Sequence, residues 1–390
     1  MQAKDSDPPD GGYGWVVVVS AFMVMGLTAA VLKTFGLFFV EIQQHFDELA
    51  STTSWITSVT IVVFHLGAPV ASSLCVQYTH RTVVITGGLL AFSGMALGFF
   101  GLNMVWLYAT TGFLQGLGIS FSWTPAISIV SHYFSKKRAL ANAIASAGEC
   151  AFAFMFGPLF QWLIGQYGWK GALLIIGGIQ LNICVCGASH CETETSPGNE
   201  FVLYAIFGIL AAMSFFVPPL FLVPLSYSLG IDESWTASLL SILAMVDFGG
   251  RLLCGWYANL HITKTIHLLA MAITLISTSL MLLPLANNYL SLAIFTGFYG
   301  FFFGTTVAIH ITVLVDVVGM PEFDSALGLF MLIRSTGGFV GPPLAGKLKT
   351  THYQVQFKRG KGMVIRTEKI WICTQLSPFF SSGVSEPRST

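Results

Sequence analysis

The sequence predicts an all-α, multi-pass membrane protein with about eleven spanning helices. Hydrophobic residues make up 54% of the 390 residues and charged residues only 9%, whereas a soluble domain carries about 25% charged residues. Apolar runs close to the roughly twenty residues needed to cross a bilayer recur along the chain. The formal net charge is +0, so no basic surface favours nucleic acid.

The predicted spans fall into two groups, six before a short polar break at 189–200 and five after it. A helix satisfies its own backbone hydrogen bonds, which a lipid environment requires. Glycine is frequent, with 40 in the chain, and suits close helix packing in membranes. The predicted spans cover 14–40, 54–76, 83–101, 105–130, 139–164, 171–188, 201–229, 234–257, 266–285, 289–318 and 325–347.

Basic residues in the short breaks predict the orientation. They follow the second, fourth and eighth spans, whereas the breaks after the first and seventh carry only acidic charges. Lys and Arg concentrate on the cytoplasmic side, which predicts a cytoplasmic N-terminus; Lys170 is an exception. The predicted regions are a cytoplasmic N-terminus (1–13), an N-terminal six-helix bundle (14–188), a short cytoplasmic linker (189–200), a C-terminal bundle of five helices (201–347) and a divergent polar and basic tail (348–390).

Six charged residues lie inside the predicted spans. Each is costly in hydrocarbon, by roughly 2.5–3.5 kcal/mol, so the chain is expected to use them. Asp247 and Arg251 are four residues apart, which places them on one helix face. Three cations balance three anions, which favours a shared neutral cavity. The six are Lys33, Glu149, Asp247, Arg251, Asp316 and Arg334.

Lys33 and Arg251 suit different tasks. A buried lysine beside a carboxylate can take up and release a proton, although a lysine that extends its ammonium group to the membrane surface is the alternative. The planar guanidinium of Arg251 fits a carboxylate through two parallel hydrogen bonds. A purely structural ion pair with Asp247 is the alternative there, but buried pairs often add little net stability.

Two segments resemble signatures of the monocarboxylate transporter family, within the major facilitator superfamily. The first runs from Asp10 to Trp15 and reads DGGYGW, similar to the family's DGGWGW. The second reads YFSKKRALAN from Tyr133 to Asn142, followed by ASAG at 145–148. It resembles the family's YFxKRRxLAxGxAxAG at the start of the fifth span. The resemblance covers about residues 8–347.

The resemblance implies a major facilitator fold and proton-linked transport of small monocarboxylates such as lactate, pyruvate or ketone bodies. It implies that Lys33 takes part in proton and substrate binding, that Asp247 takes part in proton coupling and that Arg251 holds the substrate carboxylate. Phe303 matches an aromatic residue that narrows the family's substrate pocket, and packing within the membrane helix is the alternative for this residue, which lies in a run of three Phe. Arg138 lies at the cytoplasmic mouth of the fifth span, where gating and helix anchoring both remain open. Glu149, Asp316 and Arg334 receive no role.

The resemblance also implies a plasma-membrane location and, for many members, a single-span glycoprotein partner of the immunoglobulin superfamily. Two departures bear on function. The loop between the bundles is short, and no twelfth span follows residue 347, where seven basic residues lie between 347 and 369. These departures resemble a splice variant or a truncated member.

Two alternatives to proton-linked monocarboxylate transport remain. One is a proton-independent carrier of an amino acid, thyroid hormone or creatine-like solute, and the other is a truncated product that does not transport. An enzyme is not expected, because the sequence has no HExxH or GxSxG motif. The cysteines between 184 and 191 lack paired CxxC spacing, so we predict no metal site and no cofactor.

Overall fold

A computed structural model describes residues 10–48, 50–188, 229–283 and 288–334, together with residues 222, 226 and 286. Nearly all of the described residues are helical. The N-terminal residues 1–9, the linker 189–200, nearly all of the predicted span 201–229, the last span beyond 334 and the tail 348–390 lie outside the described residues.

The helices follow the apolar runs of the sequence. Polar side chains cap several of their first turns: the side chain of Thr79 accepts a hydrogen bond from the Thr82 amide, and that of Asn103 from the Trp106 amide. The helices are α1 (Gly14–Thr34), α2 (Gly36–Phe46), α3 (Ala50–Gln77), α4 (His80–Gly98), α5 (Met104–Leu107), a π-helix (Tyr108–Leu114), α6 (Gln115–Tyr133), α7 (Arg138–Gln180), α8 (Asn182–Gly187), α9 (Glu233–Asn259), α10 (Thr265–Leu282), α11 (Tyr289–Val318), a 3₁₀ turn (Met320–Glu322) and α12 (323–334).

Seven helical stretches among the described residues are long and apolar enough to cross a membrane. The predicted fifth and sixth spans are two helices within Arg138–Gly187, which meet at a kink where Gly168 has non-helical backbone with a φ of +67°. The predicted first span is interrupted near Phe35 and continues as α2. The residue that follows α2, Asp47, has a left-handed φ of +52°. The total of about eleven spans remains a prediction.

Helix α7 is the centre of the packing. It contacts α1 and α4 on one side and α9 and α11 on the other. It therefore joins the N-terminal segment (residues 10–188) to the C-terminal segment (residues 229–334). The end of the bundle at which α1 and α7 begin carries Lys136, Lys137 and Arg138, and we call it the basic end.

Glycine allows two helices of the C-terminal segment to approach closely. A Cβ atom added to Gly250 on α9 would lie 2.3 Å from the backbone oxygen of Phe301 on α11, closer than real side chains come. A Cβ atom on the adjacent Gly249 would meet no other residue within 4 Å. This contact fixes the spacing of the two helices that carry Asp247 and Gly304.

Replacing Gly250 by Ala is expected to destabilise the protein, because the backbone of α11 must move away. Gly249→Ala is the matched control, since alanine favours a helix by up to about 1 kcal/mol over glycine and meets open space here. Thermal unfolding in detergent should give a Tm several degrees lower for Gly250→Ala and an unchanged or higher Tm for Gly249→Ala. Equal Tm values for both variants would contradict this close approach.

Candidate functional site

Arg251 and Asp247 form a two-pronged ion pair on α9. The Nε atom of Arg251 donates to Oδ1 of Asp247 at 2.9 Å, and Nη2 donates to Oδ2 at 3.1 Å. The sequence spacing predicts this pair, because residues four apart on a helix lie one above the other. The geometry is the paired N–H arrangement that guanidinium groups form with carboxylates.

Glu149 on α7 links this pair to Lys33 on α1. Its Oε2 atom lies 3.2 Å from Nζ of Lys33 and 3.4 Å from Nη1 of Arg251. Its Oε1 atom accepts a hydrogen bond of 3.1 Å from the indole nitrogen of Trp123. Glu149 therefore bridges the two cations, and the ion pairs run in the order Lys33, Glu149, Arg251, Asp247.

The four-charge cluster, as we call these residues, is neutral and unevenly exposed. The side chains of Arg251, Asp247 and Glu149 are 0%, 8% and 10% exposed, whereas that of Lys33 is 42% exposed. Burying an unpaired charge is strongly unfavourable, and pairing offsets much of that penalty. Loss of one charge would therefore leave a buried partner unpaired, and the exposed end of the cluster is that of Lys33.

Neighbouring groups hold Arg251 and Asp247 in place. The Nη1 atom of Arg251 donates to the backbone oxygen of Ser146 at 2.7 Å. The thiol of Cys150 donates to Oδ2 of Asp247 at 3.0 Å. A Cβ atom on Gly304 would lie 2.2 Å from the backbone oxygen of Asp247, so glycine is needed where α11 passes the cluster.

Polar contacts between the two segments follow the first half of α7. Besides the four-charge cluster, Nδ2 of Asn142 donates to Thr312 at 3.4 Å, and Nη1 of Arg138 lies 3.9 Å from Asp316. The α7 residues in these contacts, 138, 142, 146 and 150, recur every four positions, so they share one face. This polar face forms the seam between the segments.

The other predicted site residues make different contacts. Asp316 does not belong to the buried set that the sequence predicts. Its side chain is 45% exposed and accepts a 2.6 Å hydrogen bond from Thr265, because it lies in the last turn of α11 at the basic end. Phe303 stacks on Tyr299, with ring centroids 5.8 Å apart. Arg334 lies on α12, where its charge acts on His65 and His310.

The two signature segments meet at the basic end. The carboxylate of Asp10 accepts hydrogen bonds from the backbone amides of Ser135, Lys136 and Lys137 at 2.9, 3.1 and 3.2 Å. The ring of Trp15 packs edge-on against Phe134 at 5.1 Å. The first signature thus holds the loop that leads into α7.

Arg138 extends this arrangement into the seam. Its Nε atom donates to the backbone oxygen of Phe134 at 2.9 Å and to that of Ser131 at 3.3 Å. The same guanidinium faces Asp316 of the C-terminal segment. Arg138 therefore both anchors the start of α7 and contacts the opposite segment.

Sequence reasoning did not assign the partners of the known charges. Glu149 was recognised as a buried charge, but its contacts with Lys33 and Arg251 join residues 116 and 102 positions apart. Trp123 and Cys150 carry no charge and have no spacing that would mark them. The available signal was charge balance within the predicted spans. Because Asp247 alone cannot neutralise both Lys33 and Arg251, a second carboxylate had to lie near these two cations.

Comparison with known proteins identifies the family. A family model described as the Major Facilitator Superfamily matches residues 15–342. Monocarboxylate transporter 13 of Rattus norvegicus is 36% identical over 397 residues, which cover 95% of this chain and 93% of that protein. Monocarboxylate transporter 2 of Homo sapiens is 35% identical over 410 residues, which cover 94% of this chain and 86% of that protein. The chain belongs to the monocarboxylate transporter family.

Solved structures show the same fold. The human organic anion transporter MFSD10 aligns with a TM-score of 0.73 at 12% identity, covering 97% of this chain and 99% of that one. The proton:xylose symporter XylE aligns with a TM-score of 0.72 at 9% identity, covering 95% and 94%. The chain is thus a membrane transporter with a major facilitator fold, and members of this family are not enzymes.

Asp10 is expected to protect the loop before α7. Burial acts to raise the pKa of Asp10, but the three amide hydrogen bonds outweigh it and hold the pKa below the ordinary value of 3.8. A carboxyl group whose folded pKa is depressed stabilises the fold above its ordinary pKa and loses this effect as the pH falls through the folded value. The contact should therefore be complete at pH 5 to 8 and lost only below about pH 4.

Hydrogen exchange of the amides of residues 135–137 measures this contact. Asp10→Asn should increase their exchange about fivefold, because a hydrogen bond to a charged acceptor is worth about 1 kcal/mol more than one to a neutral acceptor. Asp47→Asn is the control, since Asp47 is an exposed aspartate at the end of α2. Unchanged exchange in Asp10→Asn would exclude the proposed restraint.

Charge balance in the four-charge cluster predicts that a second substitution restores part of the stability lost through a first one. Glu149→Gln leaves Lys33 and Arg251 against Asp247 alone and should destabilise the protein by about 3–5 kcal/mol. Lys33→Gln in the same chain removes the excess cation and should restore part of the Tm. Lys170→Gln, which removes a distant lysine, should give no recovery. Purely additive effects of Lys33→Gln and Glu149→Gln would show that the two side chains are not coupled.

Proposed function

We propose that the chain carries a small monocarboxylate, of the lactate, pyruvate or ketone-body type, together with a proton across the plasma membrane. The observation that carries the proposal is the four-charge cluster, which joins the two segments and contains a wholly buried arginine. A guanidinium that is already paired with carboxylates is suited to exchange one of them for a substrate carboxylate.

Charge balance supports the coupling of substrate to proton. The empty cluster holds two cations and two anions. A monocarboxylate alone would bring the net charge to −1, and one proton on a carboxylate would return it to zero. Because an unbalanced charge in the membrane interior is unfavourable, the neutral empty and neutral loaded states are the ones that can change conformation. We propose Asp247 as the proton acceptor, since protonation there releases the guanidinium of Arg251.

The exposure of Lys33 supports a path for the substrate. The cluster is accessible on the side of Lys33, whereas the seam from Arg138 to Cys150 is closed by contacts between the segments. We propose that the two segments, extended to 14–188 and 201–347, rock about this seam. The site would then be exposed alternately to each side, as in other transporters built from repeated bundles.

The distribution of basic residues supports the orientation. Lys136, Lys137 and Arg138 lie at the basic end, and Lys264 precedes the helix whose Thr265 binds Asp316 at that same end. On the positive-inside rule, we propose that this end, and the N-terminus with it, faces the cytoplasm. Delivery to the plasma membrane by a single-span immunoglobulin-superfamily glycoprotein is part of the proposal and follows from the family resemblance.

Transport in vesicles tests the roles of Arg251 and Asp247. Proteoliposomes with an imposed pH gradient should accumulate labelled lactate, pyruvate or 3-hydroxybutyrate. Arg251→Lys keeps the charge but loses the planar fork, so the KM should rise about tenfold or more, which corresponds to about 1.4 kcal/mol. Asp247→Asn should abolish accumulation driven by the pH gradient while exchange of labelled for unlabelled substrate continues. Lys170→Gln is the control with normal transport.

Two outcomes would overturn this assignment. Undiminished saturable transport by Arg251→Ala would remove the arginine from the substrate site. Uptake of an amino acid, thyroid hormone or creatine-like solute that is equal with and without the pH gradient would replace proton-linked monocarboxylate transport. Both measurements should include Tm values, so that loss of folding is separated from loss of binding.

A further inference from the structure

A second polar cluster joins the two segments at the basic end. His80 begins α4 and His132 lies in the last turn of α6, so both belong to the N-terminal segment. Asp324, in the first turn of α12, belongs to the C-terminal segment. The Nε2 atom of His132 lies 3.2 Å from Oδ2 of Asp324, and Nε2 of His80 lies 3.8 Å from the same oxygen.

The cluster is buried. The side chains of His80, His132 and Asp324 are 3%, 7% and 9% exposed. The hydroxyl of Ser128 donates to Oδ1 of Asp324 and lies 3.3 Å from Nε2 of His80. Two imidazole nitrogens therefore lie beside one carboxylate, together with the hydroxyl oxygen of Ser128.

This set of atoms has the composition and spacing of a metal site. The ligand atoms of His80, His132 and Asp324 all lie within 4.8 Å of one another. Tetrahedral zinc with bonds of about 2.0–2.2 Å separates its ligand atoms by roughly 3.3 Å. The 3.2 Å between Nε2 of His132 and Oδ2 of Asp324 already matches this separation, and the 3.8 Å between Nε2 of His80 and the same oxygen exceeds it by about 0.5 Å. Histidine and carboxylate are preferred ligands of zinc and neighbouring transition metals.

We propose that His80, His132 and Asp324 bind a divalent transition-metal ion of the zinc class. The hydroxyl of Ser128 or a water molecule supplies the fourth ligand. The site is independent of the four-charge cluster, which contains no histidine. Its ligands come from both segments, so the three-residue site is complete only while the basic end is closed.

The origin of the ligands gives the ion a predictable effect. A ligand that binds one of two conformations shifts the population toward it by its differential affinity. With the basic end open, only the two histidines can hold the ion, and closure adds Asp324. The ion therefore stabilises the closed basic end and slows any cycle that must open it. This second part rests on the proposed function, whereas the binding itself does not.

Metal binding is measured on the purified full-length chain in detergent. After incubation with Zn²⁺ and gel filtration, elemental analysis should find one ion per chain. Co²⁺ should give the intense visible absorption of a four-coordinate site. His132→Ala and Asp324→Asn should each weaken Co²⁺ binding at least tenfold, and His267→Ala, which removes an exposed histidine, should leave it unchanged. No bound Zn²⁺ together with no Co²⁺ absorption would overturn the proposal and leave a simple hydrogen-bonded contact.

A variant that gains affinity for a metal separates loss of a ligand from loss of folding, because a misfolded chain would not bind more tightly. His132→Cys retains a donor atom but replaces imidazole by the softer thiolate, which favours softer metals. This variant should bind Cd²⁺ at least tenfold more tightly than the unmodified chain does. Equal Cd²⁺ affinity in the two proteins would show that residue 132 is not a ligand.

Transport assays test the effect on the cycle. Micromolar Zn²⁺ at the basic end should slow uptake by the unmodified chain severalfold and leave His132→Ala unaffected. Equal slowing of both proteins would overturn the closed-state effect even where Zn²⁺ binds. If the unmodified chain transports none of the tested solutes, the proposed function fails, and the binding measurements still decide the metal site.

Discussion

The ion pairs of Glu149 are the interaction on which the arrangement of the two segments depends. This one carboxylate contacts Lys33 from α1, the indole of Trp123 from α6 and Arg251 from α9. Without Glu149, the four-charge cluster would hold two cations and one anion, an arrangement that a low-dielectric environment strongly disfavours. The position of α7 between the segments follows from this requirement, because α7 must bring Glu149 to both cations.

The other contacts of α7 agree with this central role. Its first turn meets Asp316 through Arg138, and Asp10 holds the loop before it through three backbone amides. Close approaches at Gly250 and Gly304 bring α11 against α9, so that the backbone of α11 packs directly on Asp247. Backbone spacing, charge pairing and the loop restraint thus all act on the same few helices.

The sequence predicts the local features of this protein well and the distant contacts poorly. The spans can be read from hydropathy, and the pair of Asp247 and Arg251 can be read from its four-residue spacing, since both depend on neighbouring residues. The bridge through Glu149 and the meeting of Asp324 with His132 connect residues more than 100 positions apart, and no local pattern encodes them. The misplacement of Asp316 has a different cause. Hydropathy averages over a window and cannot show that the side chain of Asp316, in the last turn of α11, is exposed.

The polar face of α7 has a consequence for how water enters the protein. From Arg138 to Cys150 the seam spans about 18 Å, at 1.5 Å per residue, and it offers hydrogen-bonding groups along this length. When such a surface separates, each exposed group can be hydrated at once, so wetting offsets much of the energy of the broken contacts. A seam of equal length lined by apolar side chains would gain no such hydration energy on opening. If the segments rock about this seam as proposed, its polar groups would lower the barrier to separating a closed interior.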